Sequence, residues 1–170
     1  ISTLPVIYAE FGLATPTRGE IDHMRGLNSR AILKQMRIPL WKLPSIGARM
    51  RELGAKEAAA VALFVGASEL IAALHARGVK LAVASSNSTA TIRAILGPEL
   101  SAMLSFTECG VALFGKAACL KRIVRMAGVS AQRAIFIGDE PRDIEAAQAA
   151  GLNSGAVLWG YAKPAALIEM

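Results

Sequence analysis

From Gly66 onward the sequence alternates short apolar runs with amphipathic stretches, and glycines stand where helices have to stop. Ser68–Arg77 reads as a helix closed by Gly78, Lys116–Ala127 as one closed by Gly128, and Pro141–Ala150 as one closed by Gly151. Glycine takes the left-handed backbone that ends a helix at little steric cost. Between the helices lie apolar runs at Val79–Ala84, at Ala134–Ile137 and at Gly155–Trp159, with a weaker run at Met103–Thr107. A further helix is expected at Thr89–Leu96 and a short one at Lys163–Ile168. Strands that are apolar along their whole length and separated by helices run parallel and are covered on both faces. The chain is therefore read as α/β, with a Rossmann-like parallel sheet and helices on both faces. The strands after Val79, Ala134 and Gly155 are expected in one sheet.

Residues 1–65 carry a different pattern, helical periodicity without a convincing strand. Thr17-Arg-Gly-Glu20 has the spacing of a capping box, and Ile21, Met24 and Leu27 follow on one helical face. Ser29 is placed to cap a second helix carrying Ala31, Ile32 and Met36, and a third runs from about Pro44 to Ala62 with Ile46, Met50 and Leu53 on one side. Trp41 is expected in the core. The chain thus divides into a small helical module at 1–65 and an α/β core at 66–170.

Composition narrows the functional classes. Hydrophobic residues are 54% and charged residues 19% of the chain, which argues against disorder. The richest apolar stretch, Ala58–Val65, is too short for a membrane span. The first basic residue is Arg18, so the positive region that opens a secretory signal is lacking, and a cytoplasmic address is expected. Cys109 and Cys119 are read as reduced core residues rather than a disulfide or zinc site. A net charge of +6 permits anionic partners without naming one.

Ligands of open parallel sheets bind beyond the carboxyl ends of the strands, so the residues just past each strand matter most. Ser85, Ser86 and Asn87 follow the first strand. They suit an anion at the next helix N-terminus, and equally a polar turn whose Ser88 caps that helix. Gly138-Asp-Glu-Pro-Arg-Asp143 follows the third, and its two aspartates four apart suit a hard cation. Glu140 and Glu145 equally suit the positive helix N-terminus, which explains part of the acidic cluster. Asp139, directly after an apolar strand and a glycine, needs a ligand, a cap or a partner. Lys116 opens a helix, where the dipole disfavours a cation, so a negative group is expected opposite it unless solvent simply receives it.

Ser-Ser-Asn, then Lys, then Gly-Asp-x-x-x-Asp in this order resembles the haloacid dehalogenase superfamily of hydrolases. The matching stretches are Leu81-Ala-Val-Ala-Ser-Ser-Asn87, Gly115-Lys116 and Ile135-Phe-Ile-Gly-Asp-Glu-Pro-Arg-Asp-Ile-Glu-Ala-Ala-Gln-Ala-Ala-Gly151. The last is similar to the phosphoglycolate phosphatase-like branch, and residues 1–63 resemble that branch's small helical cap. The resemblance implies a phosphatase acting on a small phosphorylated metabolite through Mg²⁺ and an aspartyl-phosphate. Ser85 would then hydrogen-bond the phosphoryl group with Ser86 and Asn87 beside it. Lys116 would neutralise phosphoryl oxygens, and Asp139 and Asp143 would hold the metal.

The family's first motif, Asp-x-Asp-Gly-Thr, is not found. The aspartates are Asp22, Asp139 and Asp143, and Asp22 sits in a helical context. The first core strand, with its nucleophile and general acid, is expected to lie upstream of Ile1, and the chain as written to be inactive. A catalytically silent member that binds a phosphometabolite or a protein is the alternative.

In the cap, Arg25, Arg30, Lys34, Arg37, Lys42, Arg49 and Arg51 fall between His23 and Arg51 with no acidic residue. Most are read as a solvated face. Arg25, before Gly26 at a helix end, is assigned to a substrate carboxylate or phosphate. No nucleic acid partner is expected, because no aromatic interleaving or recognised module accompanies the basic stretch.

Overall fold

Four strands occur among the described residues of the computed structural model, which covers 3–111 and 115–170, and all of them pair in parallel. β1 (Leu81–Ala84) lies beside β2 (Leu104–Glu108), with Leu81 opposite Leu104 and Ala84 opposite Glu108. β3 (Ile135–Gly138) lies beside β4 (Asn153–Ala156), with Ile135 opposite Asn153 and Gly138 opposite Ala156. The α/β class with parallel strands is thus as the sequence implies. The single sheet is not: among the described residues β1 bonds only to β2 and β3 only to β4, so the strands form two separate ladders.

The chain folds as two compact units, 1–48 with 129–170, and 49–128. This division by compactness does not follow the break in composition at Gly66.

Within 49–128, the strands alternate with α5 (Ala67–Ala76), α6 (Thr89–Ala102) and α7 (Lys116–Ala127). Ser88 caps α6 by accepting the Thr91 N–H at 3.1 Å. α6 breaks at Gly97, whose φ of +72° only glycine adopts easily, directly before Pro98. α7 packs on β1 and β2, burying Cys119, Leu120, Ile123 and Ala127 at helical spacing. Cys119 is core, as expected, and burial raises its thiol pKa; Cys109 is half-buried, and both are free thiols.

Within 1–48 and 129–170, α1 (Leu4–Glu10), α2 (Arg18–Met24) and α3 (Ser29–Gln35) precede a turn at Leu40–Lys42 and the start of α4 (Leu43–Glu57). α1, with Pro5 in its first turn and Ile7 and Tyr8 buried, was not anticipated from the sequence. Thr17 and Glu20 form the expected capping box on α2. Asn28, rather than Ser29, caps α3 by accepting the Ala31 N–H at 3.0 Å. Trp41 is 76% exposed and not core, because its short turn directs the ring outward with Lys42 stacked over it. Met50 is exposed also, so Ile46 alone of the expected face of α4 is fully buried.

α8 (Pro141–Ala150) packs on β3 and β4 and buries Ile144, Ala146, Ala147 and Ala150. Ile144 meets Ala162 and Leu167, the latter in α9 (Pro164–Ile168). β3 is less buried than its composition suggests, with Ile135 and Ile137 61% and 54% exposed. Gly138 faces Asp143 of α8, so Phe136 shares that side, whereas the two isoleucines lie on the opposite, more exposed face.

β4 ends at Ala156, earlier than the expected Trp159, because the chain then turns toward the end of β3. The Val157 N–H still bonds the Gly138 carbonyl at 2.9 Å, and by Ala162 the chain bonds the Asp139 carbonyl at 3.1 Å.

Since Ile144 joins α8, the 160–163 loop and α9, Ile144→Ala should destabilise the protein by about 2–5 kcal/mol. Urea unfolding measures this; a loss below about 1 kcal/mol would show that the cluster does not hold these elements.

Candidate active site

A carboxylate just past a strand loses part of its hydration and must recover it from donors. Asp139 does so through its Oδ2, which accepts the Tyr161 N–H at 2.8 Å. The approach leaves no room for a side chain between them. A Cβ on Gly160 would lie 2.2 Å from the Asp139 Cβ and 2.5 Å from its Oδ2. Among the described residues, the other carboxylate oxygen of Asp139 has no hydrogen-bond donor and is available to a cation.

Asp143, in the first turn of α8 and 3% exposed, is turned back onto the same loop. Its Oδ2 accepts the N–H groups of Asp139 at 3.1 Å and Glu140 at 3.2 Å. Here too glycine is required: a Cβ on Gly138 would stand 2.3 Å from that oxygen. Asp143 therefore braces the loop while Asp139 keeps an oxygen free. Two hard-oxygen groups on one loop suit Mg²⁺, which retains several waters when protein ligands are few. No cluster of three or more metal-ligating side chains occurs among the described residues.

Arg25 lies at the end of α2 and is tied to the same region. Its Nε donates to the Tyr161 carbonyl at 2.7 Å, and its own carbonyl accepts the Lys163 N–H at 2.9 Å. Lys163 in turn pairs with Asp22 at 2.6 Å. Asp22 is thus an exposed helical residue in an ion pair, and the Lys163 hydrogen bond holds its carboxyl below the usual range. The Tyr161 phenol is pushed up chiefly by burial, then by nearby Glu140, against the opposing charges of Arg25 and Arg142. Arg142 pairs with Glu140 at 2.5 Å.

In the other unit, Ser85 begins the loop after β1. Its N–H donates to the Glu108 carbonyl at 2.9 Å, and its carbonyl accepts the Val111 N–H at 3.1 Å. The Ser85 Oγ accepts the Asn87 N–H at 3.1 Å, so the hydroxyl keeps its own proton to donate. Asn87 is held by the Gly110 N–H on its carbonyl at 2.8 Å, while Ser86 is exposed. The polar-turn reading of Ser88 and the anion-site reading of Ser85 are therefore compatible, since separate side chains serve them.

Lys116 is half-buried at the first position of α7. Farther along that helix, Arg122 makes a two-toothed ion pair with Glu108 at the end of β2, through Nε at 3.0 Å and through Nη2. The guanidinium lowers the Glu108 pKa. This pair fixes the helix carrying Lys116 to the strand whose last carbonyl anchors Ser85. A cavity of 340 Å³ in this unit, lined by Thr89, Arg93 and Thr107 among others, includes none of the candidate residues.

The 160–163 loop joins Asp139 to Arg25, and Asp143 closes back onto the loop that carries Asp139. In the 49–128 unit, Ser85 and Asn87 share the loop after β1, and Lys116 opens α7. Sequence reasoning missed Gly160 and Tyr161. The one available sign was a glycine directly after the apolar run that ends at Trp159.

Comparison with known proteins accords with these features. The family model for haloacid dehalogenase-like hydrolases matches residues 1–157. A phosphoglycolate phosphatase of Synechococcus elongatus is 28% identical over 169 residues, covering 95% of this chain and 80% of its own. Among solved structures, a haloacid dehalogenase-like hydrolase of Streptococcus pneumoniae superposes with a TM-score of 0.72 at 18% identity, covering 96% of this chain and 78% of that one. Protein tyrosine kinase A of Mycobacterium tuberculosis superposes with a TM-score of 0.69 at 23% identity, covering 95% and 77%. At such identities the two structures speak for the fold alone.

The close approach at Gly160 makes a paired test. Gly160→Ala is expected to cost about 1–3 kcal/mol through overpacking against Asp139. Gly19→Ala, in α2 with nothing within 4 Å of its new methyl, should gain about 0.5–1 kcal/mol. Equal effects in thermal or urea unfolding would contradict the packing described.

Proposed function

Because the chain belongs to the haloacid dehalogenase-like hydrolases, we propose that it supplies the phosphate- and metal-binding parts of a phosphatase acting on a small phosphorylated metabolite of the phosphoglycolate kind. The observation that carries this reading is the loop at the end of β3, where Asp143 takes two backbone N–H groups and leaves Asp139 with an oxygen free. The likeness to a cyanobacterial phosphoglycolate phosphatase over nearly the whole chain supports the substrate class.

On this reading Asp139 and Asp143 hold Mg²⁺, which when bound would draw charge from the phosphoryl oxygens. Ser85 donates its hydroxyl proton to a phosphoryl oxygen, with Ser86 and Asn87 lining the same loop. Lys116 places an ammonium against the charge that spreads over those oxygens in a loose transition state. Arg25 has its Nε engaged by Tyr161, and its terminal amino groups are left to fork onto the substrate's carboxylate or phosphate. The reading requires Ser85, Lys116 and Asp139 to serve one phosphoryl group.

Attack on phosphorus needs a carboxylate in line with the leaving oxygen. Asp22 is bound to Lys163, Asp143 braces the loop, and Asp139 is assigned to the cation, so the nucleophile belongs to none of the three. We assign it to an additional strand outside these 170 residues. The division of the strands into two separate ladders supports a missing central strand. A helical cap at 1–65 over an α/β core at 66–170 is part of the same proposal.

The test compares two forms. The 170-residue chain should show no phosphatase turnover above background, while a form carrying an Asp-x-Asp-Gly-Thr strand should hydrolyse small phosphate esters only with Mg²⁺. Asp139→Ala in the longer form should abolish turnover without unfolding it. Turnover by the short chain, lost on Lys116→Ala, would overturn the assignment of the nucleophile. Binding of phosphoglycolate by both forms with turnover by neither would instead favour a silent binding protein.

A further inference from the structure

The loop at 160–163 joins two groups that the proposed chemistry treats separately, Arg25 and Asp139. Tyr161 is bonded at both ends of its backbone: its N–H to the Asp139 carboxylate at 2.8 Å, and its carbonyl to the Arg25 Nε at 2.7 Å. The neighbouring bonds run the same way. Ala162 N–H meets the Asp139 carbonyl at 3.1 Å, and Lys163 N–H meets the Arg25 carbonyl at 2.9 Å. Tyr161 and Lys163 therefore bond the loop to the end of α2, while Tyr161 and Ala162 bond it to Asp139. The Lys163–Asp22 pair closes the far side.

We infer that Arg25 is a positioning residue for Asp139, acting through the backbone of Tyr161, in addition to any contact it makes with substrate. This rests on the assignment of Asp139 to the cation. Rotamer control is the physical basis. A half-buried aspartate at a strand end has several carboxylate orientations, and one fixed N–H selects among them. That N–H is itself fixed only if its peptide cannot rotate, and the charged donor on the carbonyl side prevents the rotation. Gly160, packed against the Asp139 Cβ, removes the remaining freedom. The chain thereby holds one carboxylate oxygen on Tyr161 and turns the other toward the cation position.

Side-chain geometry provides a test that separates this role from a contact with substrate. Glutamine carries its amide nitrogen at the same distance along the side chain as the Nε of arginine, but has no guanidinium fork. Methionine has similar length and no donor. Amide hydrogen exchange of the 170-residue chain, followed by NMR at residue resolution, should show the Tyr161 amide exchanging at least about tenfold faster in Arg25→Met, as expected for loss of a charge-assisted bond. In Arg25→Gln it should stay within about threefold of the parent, since a neutral donor persists. The Val157 amide, bonded to Gly138 in the adjoining ladder, serves as the fold control and should not move in either variant.

Equal exchange of Tyr161 in the parent and in Arg25→Met would overturn the inference. So would equal acceleration at Tyr161 and Val157, which would mark a general loosening instead. Failure of the methionine variant to fold, with Arg25→Gln folded and protected, would still support dependence on a donor at this position. Titration with Mg²⁺ alone, read at the Asp139 and Tyr161 amides, keeps the two claims apart. No shift there at saturating Mg²⁺ would sink the metal assignment and leave the exchange result standing.

Discussion

The hydrogen bond from the Tyr161 N–H to the Asp139 carboxylate is the contact around which half of the molecule is arranged. It explains why β4 stops at Ala156, why a glycine occupies position 160, and why the end of α2 reaches this part of the chain at all. A carboxylate at the end of an apolar strand is unfavourable until donors reach it. Here the supporting groups come from three stretches of sequence that are far apart: Asp143 secures the loop from below, Tyr161 holds the side chain, and Arg25 holds Tyr161.

The 49–128 unit solves a similar problem by other means. Ser85 is placed by backbone bonds to Glu108 and Val111, and its hydroxyl is oriented by the Asn87 N–H. Glu108 is the shared member, since its carbonyl anchors Ser85 while its carboxylate grips Arg122 of the helix that Lys116 opens. Sign follows from the lowered pKa of Glu108: the pair contributes at neutral pH and is lost as acid protonates the carboxylate below the usual glutamate range. Being exposed, it orders the helix more than it stabilises the fold.

Much of this was legible in the sequence because a strand end is a physical address. Ser85 and Asp139 stand out as polar residues just past apolar runs, with Asp143 four residues on, and glycines 78, 128 and 151 do take the positive φ that their helix-closing role requires. What escaped reading depends on contacts that composition does not encode. Tyr161 acts through its backbone, so its side chain carries no sign of the role. Hydrophobicity alone puts Trp41 in the core, although its turn of three residues leaves the ring 76% exposed, with Lys42 over it. The exposure of Ile135 and Ile137 has the same origin, since burial depends on what covers a face and not on the residues that compose it.

The proposed function turns on Ser85, Lys116 and Asp139 serving one phosphoryl group. A crystal structure of the longer form, grown with Mg²⁺ and tungstate as a phosphate mimic, measures this directly. The metal is predicted on the free oxygen of Asp139, with the Ser85 hydroxyl and the Lys116 ammonium both on tungstate oxygens. Tungstate bound away from Lys116, or a metal held without Asp139, would contradict it.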